Sequence, residues 1–351
     1  MLVESLICSP TPSYPYHIAA KRYFVRSHRG AMEQRCDGYD KDLTLIFLHP
    51  TSFPKEIWEP TIEALLHEHD LWGARIREAY AIDCPNHGVA AVLNDGLLGD
   101  CAAGTKLFAE CAMQFLLNGP SLSTPVDFSK RNLVGIGHSI GGVAVILMQA
   151  MAIPIKFRSI ILVEPMLDAN PGDGYEQLRT RLVRSAYKRK DVWNNRGEAA
   201  AYFRNTVRWH PRILDIFIKY GIRDHPTHTH EVSPFDGVTL ACTRDQEALM
   251  YRDKDGATTP IQDLNVICNR IPVHVIFGGN PDYLPQSTQD GLTDPKSGRR
   301  FASVTRIPNT GHLVRICLLI PLCDDTEHML APPAGPCGVG CRIVSGHSVL
   351  C

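Results

Sequence analysis

The sequence predicts an α/β fold, a mostly parallel central sheet with helices on both faces, carrying a helical insertion. Three observations carry that expectation. Apolar runs of strand length, such as Leu43 to His49 (LTLIFLH), alternate with segments of helical period through the first half of the chain. Residues 165–265 then read as helices without a strong strand between them. Finally, the strand pattern resumes at Val273 to Phe277 and at Ser303 to Ile307, so the insertion interrupts one sheet and does not separate two.

Taken in order, His17 to Val25 (HIAAKRYFV) is rich in β-formers, and the Leu43 to His49 run is too uniformly apolar for an exposed face, so it belongs in the sheet interior. Glu56 to Leu66 spaces Ile57, Trp58, Ile62, Leu65 and Leu66 by three and four, which lays one helical stripe on that sheet. Glu78 to Asp83 follows as a strand and Thr105 to Leu117 as a helix. Leu133 to Gly137, Gly141 to Met151 and Ser159 to Val163 continue as strand, helix and strand. Within the insertion, EQLRTRLVRSAYKRK, GEAAAYFRN and PRILDIFIKY are the helical segments, and they are expected to lie as a lid over the strand ends. The expected organisation is a core over 1–164, a cap over 165–265, the rest of the core over 266–314 and an atypical tail over 315–351.

Composition removes several function classes. In 351 residues, 36 basic and 37 acidic side chains leave a formal charge of −1, so there is no surplus of positive charge to hold a nucleic acid or an anionic membrane. Glu4 stands where a secretory leader would carry positive charge, and the apolar stretch there is too short for one. Leu133 to Ile155 is nearly uncharged, but Gly141, Gly142, Gln149 and Pro154 interrupt it, so a buried strand and helix are expected in place of a transmembrane span. The twelve cysteines are scattered along a large chain and are expected to be reduced thiols.

The most specific chemical signal is Gly137-His138-Ser139-Ile140-Gly141-Gly142, a G-x-S-x-G pattern that follows a buried strand and opens a helix. A nucleophile on such a sharp turn needs neighbours without a Cβ, because the chain must bend tightly while the hydroxyl projects. Ser139 then sits at a helix N-terminus, where the dipole and the amide of Ile140 favour developing negative charge on a substrate oxygen.

With that motif in that context, the chain resembles the α/β-hydrolase superfamily, which implies an acid and a histidine after the serine. Gly278-Gly279-Asn280-Pro281-Asp282 is similar to the acid-bearing loop, making Asp282 the expected orienting carboxylate. Asn309-Thr310-Gly311-His312-Leu313 is similar to the histidine loop, making His312 the expected general base. Glu164, ending Leu162-Val163-Glu164-Pro165, is the alternative acid, and Asp168 is a third. Asp282 is preferred because its chain order matches the usual pattern. The resemblance also implies a second oxyanion donor after the Leu43 to His49 strand, where His-Gly is common. Here Pro50 replaces that glycine, and the amide of Thr51 is the expected donor. The wording from LTLIFLHPTSFPKEIWEPTIEALL to ILVEPM is similar to a fungal branch of the superfamily. That branch holds peroxisomal lipase-like proteins and hydrolases that make host-selective toxins carrying an epoxy-decatrienoic acid.

These readings imply a serine hydrolase that cleaves a small-molecule carboxylic ester or acyl thioester, with no metal and no organic cofactor. The resemblance implies fungal secondary metabolism on fatty-acyl or polyketide-derived substrates, and a peroxisomal location with the cytoplasm as alternative. The final residues, Val349-Leu350-Cys351, form no peroxisomal tripeptide. Two other readings compete: an acyl-binding protein that has lost turnover, and an epoxide hydrolase-like enzyme, which on this fold uses a carboxylate where Ser139 stands.

Other clusters are expected to be structural. His225, His228 and His230 read as a solvated loop before a metal site. Arg179, Arg181, Arg184, Lys188, Arg189 and Lys190 space like the wet face of a helix, with a carboxylate or a nucleotide phosphate as the alternative partner. Asp83 to Gly88 is expected to form a turn beneath the site. From Arg315 the pattern is not helical. Cys317, Cys323, Cys337, Cys341 and Cys351 crowd this end beside Pro332, Pro333 and Pro336, and Cys337, Cys341 and His347 lack a second pair to complete a zinc site. Since the resemblance implies a last helix here, this end is expected to depart from the family's coding frame, for example through a retained intron after Val314.

Overall fold

A computed structural model describes residues 1–25, 42–67, 75–99, 104–119, 126–153, 155–170, 173–226 and 236–313. The tail from 314 onward lies outside them, as do His228 and His230.

The central sheet has eight strands: β1 (Leu2–Cys8), β2 (Ile18–Phe24), β3 (Leu43–Leu48), β4 (Ile76–Ile82), β5 (Asn132–His138), β6 (Phe157–Val163), β10 (Val273–Gly278) and β11 (Ser303–Ile307). Their order in space is β1-β2-β4-β3-β5-β6-β10-β11. The pairs β1 with β2 and β2 with β4 are antiparallel, and every later pair is parallel. The interior strands are buried at nearly every position because both faces are covered. Successive side chains serve opposite faces. Leu45 and Phe47 join one core with Ile62, Leu65 and Leu66 of α1 (Glu59–His67), whereas Ile46 and Leu48 join the other. That second core also takes α3 (Thr105–Asn118) and α4 (Ile140–Ala150). A short α2 (Gly88–Leu93) follows β4.

Between β6 and β10 the chain forms α5 (Asp173–Lys188), β7 (Val192–Trp193), α6 (Arg196–Thr206), α7 (Pro211–Tyr220), β8 (Ile222–His225), β9 (Gly237–Leu240), α8 (Arg244–Arg252), α9 (Asp255–Thr258) and α10 (Pro260–Ile267). A further helix, α11 (Gln286–Thr293), lies between β10 and β11.

This stretch differs from the expectation of helices without strands, since β7, β9 and β8 form a separate antiparallel three-stranded sheet. Its strands are two to four residues long. Runs that short show no alternation to recognise. His225 belongs to this small sheet, and α10 packs on α4 as part of the main body.

The strand order places β4 on one side of β3 and β5 on the other. Such a reversal opens a crevice at the carboxyl ends of parallel strands, and the loops after β3, β5, β6, β10 and β11 all meet there. Among the described residues, no helix is long and apolar enough to cross a membrane.

Candidate active site

Ser139 connects β5 to α4 with φ 56° and ψ −119°. A side-chain-bearing residue adopts that conformation only where its surroundings enforce it. Here the enforcement is close backbone packing. A Cβ on Gly141 would lie 2.6 Å from the carbonyl carbon of Leu48 at the end of β3, and one on Gly137 would overlap the backbone of Gly141. The Ser139 amide donates to the Val163 carbonyl at 2.9 Å, which ties the turn to the end of β6. The hydroxyl is thereby directed out of the sheet edge on a side chain that is 4% exposed.

His312 follows β11, and its Nε2 lies 3.2 Å from Ser139 Oγ. The other ring nitrogen, Nδ1, lies 3.0 Å from Oε2 of Glu164. Glu164 follows β6 directly, with φ 45°, and is 1% exposed. Its second oxygen accepts from the Gly278 amide at 2.6 Å and from Gln289 Nε2 at 3.4 Å. A carboxylate so placed keeps the proton on Nδ1 and leaves Nε2 as the acceptor for the serine hydroxyl.

The structure therefore differs from the sequence preference for Asp282 as the carboxylate on the imidazole. Asp282 is exposed, and its Oδ1 accepts the backbone amide of His312 at 2.7 Å. It holds the loop that carries the histidine. The reason is the path of the chain: the Asp282 loop meets the turn before His312, where a Cβ on Gly311 would sit 2.5 Å from Asp282 Cγ, while the end of β6 points Glu164 at the ring. Asp168, the third carboxylate, is buried away from the imidazole, with its Oδ1 accepting the Asn170 amide at 3.1 Å.

Two neighbours of His312 escaped the sequence reading. The Tyr283 ring stacks on the imidazole with centroids 4.8 Å apart and planes 13° apart. His138 Nε2 donates to the His312 carbonyl at 2.9 Å. His138 lies inside the G-x-S-x-G pattern, so the position carried a signal. The Tyr283 contact requires the fold.

The loop after β3 is held from three sides. His49 Nδ1 donates to the Pro50 carbonyl at 2.8 Å, and its Nε2 accepts the Cys84 amide at 2.9 Å. The ring needs to be neutral to do both, and burial pushes its pKa down to about 4. His87 Nε2 accepts the Ser52 amide at 2.8 Å, and burial lowers this ring's pKa as well. Ser52, at φ 74°, donates its hydroxyl to Glu247 on α8 at 2.7 Å, and Glu247 also accepts from Arg189 at 2.8 Å. Thr51 thus lies in a braced loop beside Ser139, on the wall of the same cavity. Asp83 accepts from the Lys55 amide and ammonium, both at 2.8 Å, and from the Val89 amide at 3.1 Å. It stiffens the turn under this loop.

The cavity in front of Ser139 and His312 has a volume of about 400 Å³. Its far wall is aromatic: Phe53, Phe203, Trp209 and Phe217 pack against one another with centroids 5.0 to 5.7 Å apart. Arg189, Tyr251 and Tyr283 supply its polar edge. The residues between β6 and β10 thus wall one side and the strand-end loops the other. A site with this lining suits a ligand with an apolar body and one polar, reacting group.

Comparison with known proteins agrees with the architecture. The chain is 29% identical over 228 residues to the type I acyl-CoA thioesterase mpaH of Penicillium brevicompactum, covering 63% of this chain and 47% of that protein. It is 28% identical over 212 residues to the peroxisomal membrane protein LPX1 of Saccharomyces cerevisiae, covering 55% and 52%. The chain spans about half the length of these relatives. Among solved structures, the peroxisomal alpha-beta-hydrolase Lpx1 of Saccharomyces cerevisiae superposes with a TM-score of 0.71 at 21% identity, over 95% of this chain and 91% of that one. The thioesterase domain from the curacin biosynthetic pathway gives 0.61 at 14% identity, over 92% and 98%. The model of the alpha/beta hydrolase family matches residues 45–318. With a match of that extent and this sheet beneath it, the chain belongs to the alpha/beta hydrolase family.

Proposed function

We propose that the chain is a serine hydrolase of acyl thioesters, with esters as slower substrates, in which Ser139 is the nucleophile, His312 the general base and Glu164 the orienting acid. The observation that carries this reading is the unbroken relay from Glu164 Oε2 through the His312 ring to Ser139 Oγ, at 3.0 and 3.2 Å, opening on an aromatic-walled cavity. In the first step Ser139 Oγ attacks the acyl carbonyl while its proton passes to His312 Nε2. The oxyanion is held by the amides of Ile140, at the helix terminus, and Thr51, in the braced loop. Collapse breaks the carbon–sulfur bond, and the departing sulfur takes the proton from His312. A water then gives its proton to His312 and attacks the acyl-serine, releasing the carboxylic acid and restoring Ser139. Glu164 holds the Nδ1 side of the ring through its Oε2 and steadies the imidazolium.

Thioesters are preferred to esters in this reading because relatives matched over more than half of this chain are named acyl-CoA thioesterases. The segment between β6 and β10 serves as the lid. A peroxisomal setting belongs to the same proposal, supported by the likeness to the yeast peroxisomal protein, and a role in fungal secondary metabolism belongs to it through the sequence resemblance described above. The test is Ser139→Ala. Turnover of a short acyl thioester is expected to fall by about 10⁶-fold, the order seen when a triad serine is removed, and a fluorophosphonate is expected to label wild type but not the variant. Turnover that survives the substitution overturns the reading.

A further inference from the structure

From Gln177 to Lys190 the chain carries Arg179, Arg181, Arg184, Lys188, Arg189 and Lys190 and not one acidic residue. Some of these cations are engaged. Arg179 pairs with Glu176, Arg189 with Glu247, and Arg181 donates to the Asp282 carbonyl at 3.3 Å. Arg184 and Lys188 are exposed, and neither makes a hydrogen bond or ion pair with a described residue. They stand four apart on α5, where like charges repel across one turn. One turn earlier Glu176 pairs with Arg179, whereas no acidic residue follows in α5 to neutralise Arg184 or Lys188. Lys188 gains from the helix C-terminus, but Arg184 lies before the last turn, where that effect has faded.

Arg181, Arg184 and Lys188 line an open groove of about 560 Å³ together with Gln177, Thr180, Ser185 and Glu176, whose carboxylate pairs with Arg179. Ser185 and Lys188 also line the cavity at Ser139, so the groove continues from its mouth. We infer that this groove holds the phosphate groups of an acyl-coenzyme A whose acyl part fills the aromatic-walled cavity. The inference rests on the reading of Ser139 and His312 as a thioester-cleaving pair. Coenzyme A carries its thioester at the end of a pantetheine arm, remote from a diphosphate and a ribose phosphate. A site that takes it needs an apolar end at the nucleophile and a separate cationic end beyond the entrance. Arg181 and Lys188 stand about 10 Å apart along the helix, by the rise per residue, which is room for more than one phosphate. Arginine forks match phosphate oxygens in pairs, and the lysine adds a point charge. Since the whole chain carries a formal charge of only −1, the attraction belongs to this groove and not to the molecule at large.

The test compares the full chain with the variant Arg184→Gln, at a residue of the groove that does not line the cavity at Ser139. Each is assayed on one acyl group presented as its coenzyme A thioester and as its N-acetylcysteamine thioester, which has no phosphate. Binding of free coenzyme A is measured by calorimetry alongside. The expected result is a rise in KM for the coenzyme A thioester of roughly tenfold or more, with kcat unchanged, and a matching loss of coenzyme A affinity. Turnover of the cysteamine thioester stays at the wild-type level, which also reports that the variant is folded. Raised salt weakens only the coenzyme A arm, and Arg184→Lys, which keeps the charge without the fork, restores it in part. An Arg184→Gln variant that keeps the wild-type ratio between the two substrates within about fivefold overturns the inference, because an exposed charge contributes up to that factor by proximity alone. Wild type that cleaves neither thioester defeats the reading of Ser139, and the coenzyme A affinities then decide the groove alone: weakened in the variant, it binds phosphate; unchanged, it does not. Should Arg184→Gln lose cysteamine thioester turnover, Arg184→Ala takes its place under the same criteria.

Discussion

Replacing Glu164 with Gln discriminates between the two carboxylates near His312. Oε1 of Glu164 accepts the Gly278 amide at 2.6 Å, so the glutamine has to keep its oxygen there and turn its NH₂ toward His312 Nδ1. That donor forces Nδ1 to become an acceptor, moves the ring proton to Nε2, and leaves nothing to receive the Ser139 proton. The variant also loses the charge facing the imidazolium. Two unit charges about 4 Å apart at an effective dielectric of 20 interact by roughly 4 kcal/mol, or about a thousandfold in rate. Tautomer reversal in a triad acid amide costs about 10⁴-fold. The expected fall in kcat is therefore roughly 10³- to 10⁴-fold, with KM little changed because Glu164 lies behind the ring and off the cavity wall. In Asp282→Asn, a neutral oxygen still accepts the His312 amide, so the loss is about tenfold or less. The assay is release of free thiol from an acyl thioester, with fluorophosphonate labelling as a second readout of Ser139 reactivity. An Asp282→Asn enzyme reduced a thousandfold beside a nearly intact Glu164→Gln enzyme would refute the assignment of Glu164.

The buried His49 links stability to pH. Its folded pKa of about 4 lies below the ordinary value of 6.5, so below pH 6.5 the unfolded chain binds the proton that the native loop refuses. Its share of the unfolding free energy should fall by about 1.4 kcal/mol per pH unit between those values and level off below pH 4, as urea unfolding at stepped pH would show. Unfolding free energy that does not decline from about pH 6.5 to pH 5 would contradict the neutral ring. For Gly141→Ala, the added Cβ meets backbone at Leu48 that cannot step aside, so a loss of about 3 kcal/mol or more is expected, read as a fall in soluble, fluorophosphonate-reactive protein.

The interior strands were legible in the sequence because a sheet covered on both faces needs continuous apolar runs, and β3, β5, β6 and β10 carry such runs. The edge strand β1 was not, since its exposures are mixed and polar residues interrupt its short apolar runs. The three short strands between β6 and β10 escaped for want of length. In the site, the glycines around Ser139 announced a tight turn whose need for them is local, and the order of serine, carboxylates and histidine along the chain could be read directly. Which carboxylate meets the imidazole could not. That choice depends on where the ends of β6 and β11 stand relative to one another and on a left-handed turn at Glu164, both set by sheet packing among residues far apart in the chain. Hydrogen bonds select a partner by distance and direction in space, and one-dimensional spacing carries neither across 148 residues.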